Sequence, residues 1–223
     1  MTLLDIRTNF ITDSGRNDLV IDLTDYADRG ANRFINAGQR FLDGLIDTPQ
    51  SQAKYEETLD VGATTLTLED CRAIEEVYLT NAEGGIHYLT KVSLSDIREA
   101  FPELSSEVKG VPTYYAINVI RVMATELTET IKGIIFMSPA DDTYDMVVEG
   151  KFFTKKLVEN DDINYWTENH EDVLGMAALY KLETFYRNRE GARDWLQGIM
   201  EAIRGIDHDI IAEEIAGVNQ IKG

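Results

Sequence analysis

The chain has 223 residues, 43% of them apolar, with 21 basic against 40 acidic side chains and a formal net charge of −19. That is enough apolar material for the core of one large domain or two small ones, and too much for a disordered chain. The charge argues against a surface that grips phosphate backbone or an anionic membrane, and suits a well-solvated acidic protein or one that docks on a basic partner.

Thr2 to about Asn9 reads as a short helix. Thr2 and Asp5 have the spacing of a capping box, Leu3, Ile6 and Phe10 form a stripe, and Gly15 is the stop. Leu19 to Leu23 is a short extended run. Asp25 to Asp47 then reads as one amphipathic helix with Asp25 as N-cap. Phe34, Ile35, Gly38, Phe41, Leu42, Leu45 and Ile46 lie on one face, and Asn32, Arg33, Gln39, Arg40 and Asp43 lie mainly off it. Pro49 ends it.

The period then changes. Tyr55 to Val61 and Thr64 to Leu68 read as strands around the Gly62-Ala63 turn, and Ile74 to Thr80 as another. Asn81 to Gly85 is a turn, and Ile86 to Val92 alternates. Ser93 to Phe101 has the stripe and caps of a short helix, followed by a polar loop from Glu103 to Pro112. Tyr114 to Val122 is rich in β-branched residues. Leu127 to Lys132 is a polar connection, Gly133 to Met137 a strand, Ser138 to Asp142 a hairpin loop, and Tyr144 to about Phe153 the return strand. Roughly six or seven short antiparallel strands joined by tight turns point to a small sandwich or barrel-like sheet.

Helical periodicity resumes after Asp161-Asp162. Thr167 is the expected N-cap of a helix that buries Val173, Leu174, Ala177, Ala178, Leu182 and Phe185, with Arg187 and Arg189 at its C-terminal end. A further helix runs from about Glu190 to Arg204, where Gly205 breaks it. The final segment carries Ile206, Ile210, Ile211 and Ile215 at helical spacing, an apolar stripe in want of a partner surface. The expected fold class is α+β. Residues 1–50 and 160–205 form a discontinuous helical bundle, 51–159 a β-rich insertion with a sandwich or barrel-like antiparallel sheet, and 206–223 a C-terminal arm.

Little in the chain has catalytic character. Cys71, the single cysteine, excludes an internal disulfide and a cysteine-based zinc site. His87, His170 and His208 stand alone, without a second ligand at metal spacing. No nucleophile elbow, Walker loop or dinucleotide fingerprint is present, and Gly84-Gly85 reads as a turn. Asp141-Asp142, Asp161-Asp162 and Asp207-His208-Asp209 could converge on a divalent cation, but turn formation and helix capping explain the first two pairs more simply. No cofactor and no metal are expected. MTLLDIRTNF at the start resembles neither a signal peptide nor an anchor, and no window approaches a transmembrane length.

Leu3 to Arg7 through Ser14-Gly15-Arg16, then Phe34 to Asp43 (FINAGQRFLD), resemble the adaptor proteins of tailed bacteriophages. So do Tyr165 to Asn169, Ala177 to Glu183, Tyr186-Arg187-Asn188, Gly191-Ala192 and Trp195. The resemblance covers both helical parts, and the β insertion matches in position and size. It implies a non-enzymatic head–tail connector of the virion neck: a dodecameric ring under the portal protein that extends the DNA channel and offers a docking surface to tail or nozzle proteins. DNA would pass the lumen without specific binding. It also implies a portal-docking arm carrying Ile206, Ile210, Ile211 and Ile215. Arg33, Asn36, Gln39, Arg40, Arg187 and Arg189 are then the candidate subunit contacts. The alternatives are a carbohydrate- or peptide-binding module with its site on the β insertion, and an enzyme using acidic residues and a divalent metal.

Overall fold

The structure, a computed structural model, describes residues 1–81, 84–100, 109–121 and 130–218, with backbone alone at 118–121, 130–132, 209 and 212–218. The end of the expected short helix at Phe101, most of the loop after it, and Leu127 to Glu129 lie outside the described residues. The fold is α+β, with N- and C-terminal helices flanking a β region. The chain divides into two compact units, Met1–Ser51 with Phe153–Gly223, and Gln52–Phe152.

In the helical unit, α1 (Leu3–Ser14) opens on the expected capping box between Thr2 and Asp5 and closes on Gly15, left-handed at φ 67°. α2 spans Ala31–Leu45. Its start is later than Asp25 because Tyr26 adopts φ 52°, which no helix tolerates. The aspartates before it build turns instead: Asp22 accepts from the backbone N–H groups of Thr24 and Asp25, and Asp25 from that of Ala27. Gly30 is the N-cap of α2, and Asp28, two residues before it, accepts through Oδ1 from the backbone N–H of Asn32 at 2.9 Å. α4 (Tyr165–Asn169) is capped by Asn164, with Thr167 returning the bond to the Asn164 backbone, so Thr167 is the third residue of this helix and not its cap. α5 follows at Glu171–Phe185.

α6 runs unbroken from Arg189 to Val218, through Gly205. Glycine weakens a helix by about 1 kcal/mol but breaks no i→i−4 bond, and the isoleucine stripe on both sides holds the helix in register. The core joins Leu3, Ile6 and Phe10 of α1, Phe34, Ile35 and Leu42 of α2, Trp166, Leu174, Ala177 and Ala178, and Ile199, Ile203 and Ile206 of α6. Gly38 lets α2 and α5 pack backbone to backbone, since a Cβ there would lie 2.7 Å from the Ala178 backbone nitrogen.

The β unit holds two four-stranded sheets. One contains β1 (Gln52–Leu59), β8 (Tyr144–Phe152), β3 (Cys71–Thr80) and β4 (Ile86–Tyr88) in that order. The other contains β2 (Thr65–Leu68), β7 (Thr130–Phe136), β6 (Tyr114–Arg121) and β5 (Thr90–Lys91). All pairings are antiparallel except β5 with β6, which is parallel. Val77, Leu79, Met146 and Val148 from the first sheet share a core with Leu66, Leu68, Ile134 and Phe136 from the second, so the unit is a sandwich. α3 (Leu94–Ala100) covers the outer side of the second sheet through Ile97, against Ala116 and Ile135.

Residues 138–142 do not form the expected hairpin, because β7 and β8 belong to different sheets. Ala140 bonds instead to the turn between β1 and β2: its N–H donates to the Ala63 carbonyl at 3.1 Å, and the Gly62 N–H donates to its carbonyl at 2.7 Å. Two sheet-changing corners thereby satisfy each other. The expected polar connection ending at Lys132 also yields to structure, since β7 starts at Thr130.

Candidate functional site

The polar face of α2 is where the sequence placed a subunit contact. Asn36, Gln39 and Asp43 stand at three- and four-residue steps, hence on one side of the helix. An extended segment, 153–158, runs past that side. It belongs to no sheet, so its backbone groups need side-chain partners. Asn36 acts as a mimic of a strand: its Nδ2 donates to the Leu157 carbonyl at 2.9 Å and its Oδ1 accepts from the Leu157 N–H at 3.0 Å. Gln39 Nε2 donates to the carbonyls of Thr154 and Lys155, at 2.8 and 3.0 Å, while its Oε1 accepts from Asn164 Nδ2 at 2.9 Å. Asp43 accepts from the Thr154 N–H at 2.9 Å, the Thr154 hydroxyl at 2.7 Å and the Trp166 indole N–H at 2.7 Å.

Gln39 and Asp43 are buried, Asn36 half-buried, and all three are committed within the chain. Their role is to close the helical unit around the returning chain. Gln39 is thereby buried within its own chain, whereas Asn36 remains half-exposed. The spacing 36, 39, 43 was visible in the sequence, but its partner was not, because the segment at 153–158 lies more than a hundred positions away.

The arginines remain outward. Arg33 is exposed, its guanidinium carbon 5.3 Å from the Phe185 ring centroid, and Arg40 is exposed with its own 4.0 Å from that of Phe153. Arg187 is exposed in the turn after α5, at φ 60°. Arg189 does not end α5 but opens α6. The structure thus leaves these four arginines exposed on the helical unit.

The tail isoleucines divide. Ile206 is buried in the bundle core, and Ile210 packs against it. Ile211 is 46% exposed. The Ile215 side chain lies outside the described residues. The stripe therefore divides: its first half is bundle core because α6 continues through Gly205, while Ile211 faces outward.

The remaining polar candidates have structural partners. Asp162 accepts from the backbone N–H groups of Val158 and Glu159, which holds its carboxyl below the usual range. Asp141 accepts from the Tyr144 hydroxyl, which burial and that bond push up to about 12. His170 meets the Tyr165 hydroxyl at 3.1 Å. Among the described residues no three His, Cys, Asp or Glu side chains converge as metal ligands, and no helix is long and apolar enough to cross a membrane. A residue the sequence did not single out is Arg7. It is buried, its Nε donating to Asn32 Oδ1 at 2.8 Å and its Nη1 to the Tyr26 carbonyl at 2.9 Å, and it lines a groove of about 680 Å³ with Arg33 and Lys156.

A family profile described as SU10 adaptor protein matches residues 1–218. The chain belongs to the SU10 adaptor family. The match runs through the β unit as well as both helical parts, and so extends the resemblance seen in the helices. Comparison with curated proteins returns no match. As an SU10 adaptor, the protein is a phage head–tail adaptor and a structural component of the virion.

Proposed function

We propose that this SU10 adaptor works as a ring of copies between portal and tail. The ring docks on the portal protein, continues the DNA channel and presents the attachment surface for tail or nozzle proteins. Its role is structural and not enzymatic, and its place is the neck of the virion. The ring we propose is the dodecamer that the resemblance implies. The observation that carries this reading is the family match over residues 1–218, which takes in both units. The acidic chain supports it, since a lumen lined by carboxylates lets DNA slide without sticking.

The docking arm is the end of α6. At 30 residues this helix is about 45 Å long, twice the length of the 15-residue α5 it packs against. Ile206 and Ile210 belong to the bundle, so the arm proper starts at Ile211. Mixing the purified protein with its portal and imaging the particles tests the reading: a ring on the portal is expected. Deleting residues 211–223 should abolish docking and leave the melting midpoint of the bundle nearly unchanged. Absence of any association with the portal across salt concentrations would overturn the adaptor-ring reading, and intact docking by the truncated chain would overturn the arm.

A further inference from the structure

The groove containing Arg7 has an unusual charge for this chain. Its lining includes Arg7, Arg33 and Lys156 against one carboxylate, Asp28, on a protein of net charge −19. Arg7 is only 2% exposed, and it donates to an amide oxygen and to a backbone carbonyl, both neutral. Burial pushes its guanidinium below the ordinary value, with Asp28 and Asp25 acting in the opposite direction. Burying a cation is costly, and an arriving carboxylate would offset part of that cost. Apolar surface lies beside it: Val158, a lining residue, is 60% exposed, and Phe185, under Arg33, is 54% exposed.

The opposite character appears at one end of the outer face of the β1-β8-β3-β4 sheet, past the Lys54–Glu149 ion pair. Thr58 and Thr80 both register with Asp145, and Glu56 lies two residues from Thr58 on β1, so all four side chains share that face. Glu56 and Asp145 line a shallow depression that contains no basic side chain. Beside it Tyr88 is 59% exposed and Ile86 54% exposed, with the Tyr88 ring 5.5 Å from that of Tyr78. Exposed aromatic and aliphatic side chains rimmed by charge mark an interaction surface.

We infer that the Arg7–Arg33–Lys156 groove of one copy receives the Glu56–Asp145 sheet face of a second copy. Every copy carries both faces, so the contact is head-to-tail and repeats, and a repeating contact of this kind closes into a ring when its rotation permits. Groove cations meeting sheet carboxylates offset part of the mutual repulsion of acidic copies, while Val158 and Phe185 meet Tyr88 and Ile86. The inference rests on the ring reading above and names the surfaces that would build it.

The test uses the full chain with its portal. One variant carries Arg33→Glu and Lys156→Glu, a second Glu56→Lys and Asp145→Lys, and a third all four substitutions. All four positions are exposed, so each variant is expected to melt near wild type. Particle images give the copies bound per portal, and titration gives the half-saturating concentration. Each double variant should leave incomplete rings and raise that concentration by about tenfold or more, because like charges then face each other. The four-substitution chain should recover complete rings. Complete rings from either double variant, or no recovery in the third, would overturn the groove assignment, while wild-type rings in the same images leave the adaptor reading standing. No wild-type ring would overturn both.

Discussion

The indole N–H of Trp166 donates to Asp43 Oδ1 at 2.7 Å, across 123 positions of sequence. Asp43 also holds Thr154 by two bonds, so one carboxylate ties α2 to the returning chain and to α4. Truncating it leaves buried donors unsatisfied, each costing about 1–3 kcal/mol. Asp43→Ala is therefore expected to destabilise the helical unit by about 3 kcal/mol. Both tryptophans, Trp166 and Trp195, lie in that unit, so denaturant unfolding followed by tryptophan fluorescence reads it selectively. A midpoint unchanged from wild type would refute the role given to Asp43.

Gly38 makes a second prediction. An added methyl would meet the Ala178 backbone nitrogen at 2.7 Å and the Ala177 carbonyl carbon at 2.8 Å, and backbone cannot swing aside as a side chain can. Gly38→Ala should cost about 1–3 kcal/mol through the forced separation of α2 and α5, despite the better helix propensity of alanine. The same fluorescence-detected unfolding measures it.

Gly205 should behave oppositely. A Cβ there meets nothing within 4 Å, and the residue lies within α6. Gly205→Ala is expected to stabilise the helix by about 0.5–1 kcal/mol and to raise helical circular dichroism slightly. A break at Gly205, as the sequence alone suggests, would instead make the substitution neutral or harmful.

Acid should loosen the helical unit from its edges. Thr2 holds Asp5 below the usual carboxylate range through its backbone N–H and hydroxyl, and the Val158 and Glu159 N–H groups, then Lys155, do the same for Asp162. A depressed folded pKa contributes stability that is complete above the unfolded value of about 4 and lost as pH falls through it toward the folded one. The fluorescence-detected melting midpoint should therefore hold steady above about pH 5 and decline below about pH 4. Asp162→Asn should flatten part of that decline.

Helix faces were the most legible part of this chain. The Leu3, Ile6, Phe10 stripe and the Thr2–Asp5 cap are local, and local spacing is enough to specify them. Strand existence was legible too, but strand partnership was not: residues 138–142 have hairpin chemistry, yet Ala140 in their midst bonds to Gly62 and Ala63. Asn36 and Gln39 looked like a surface because polarity alone does not distinguish water from a distant backbone as the partner. Gly205 and Asp25 misled in the same manner. Each carries a common boundary signal, overruled in one case by a continuous apolar stripe and in the other by Tyr26 at φ 52°.

The pairing of β1 with β8 brings Gln52 opposite Lys151 at the two ends of the β unit. To the helices, a hundred-residue excursion therefore has the footprint of a single tight turn. Closing so long a loop would ordinarily carry an entropic cost that grows with its length, but the excursion's own antiparallel ladder sets its ends side by side. The unit is exchangeable in principle: a short two-strand connector between Ser51 and Phe153 presents the helices with the same pair of ends. A change in the size or surface of this unit accordingly leaves the bundle the same pair of ends to meet.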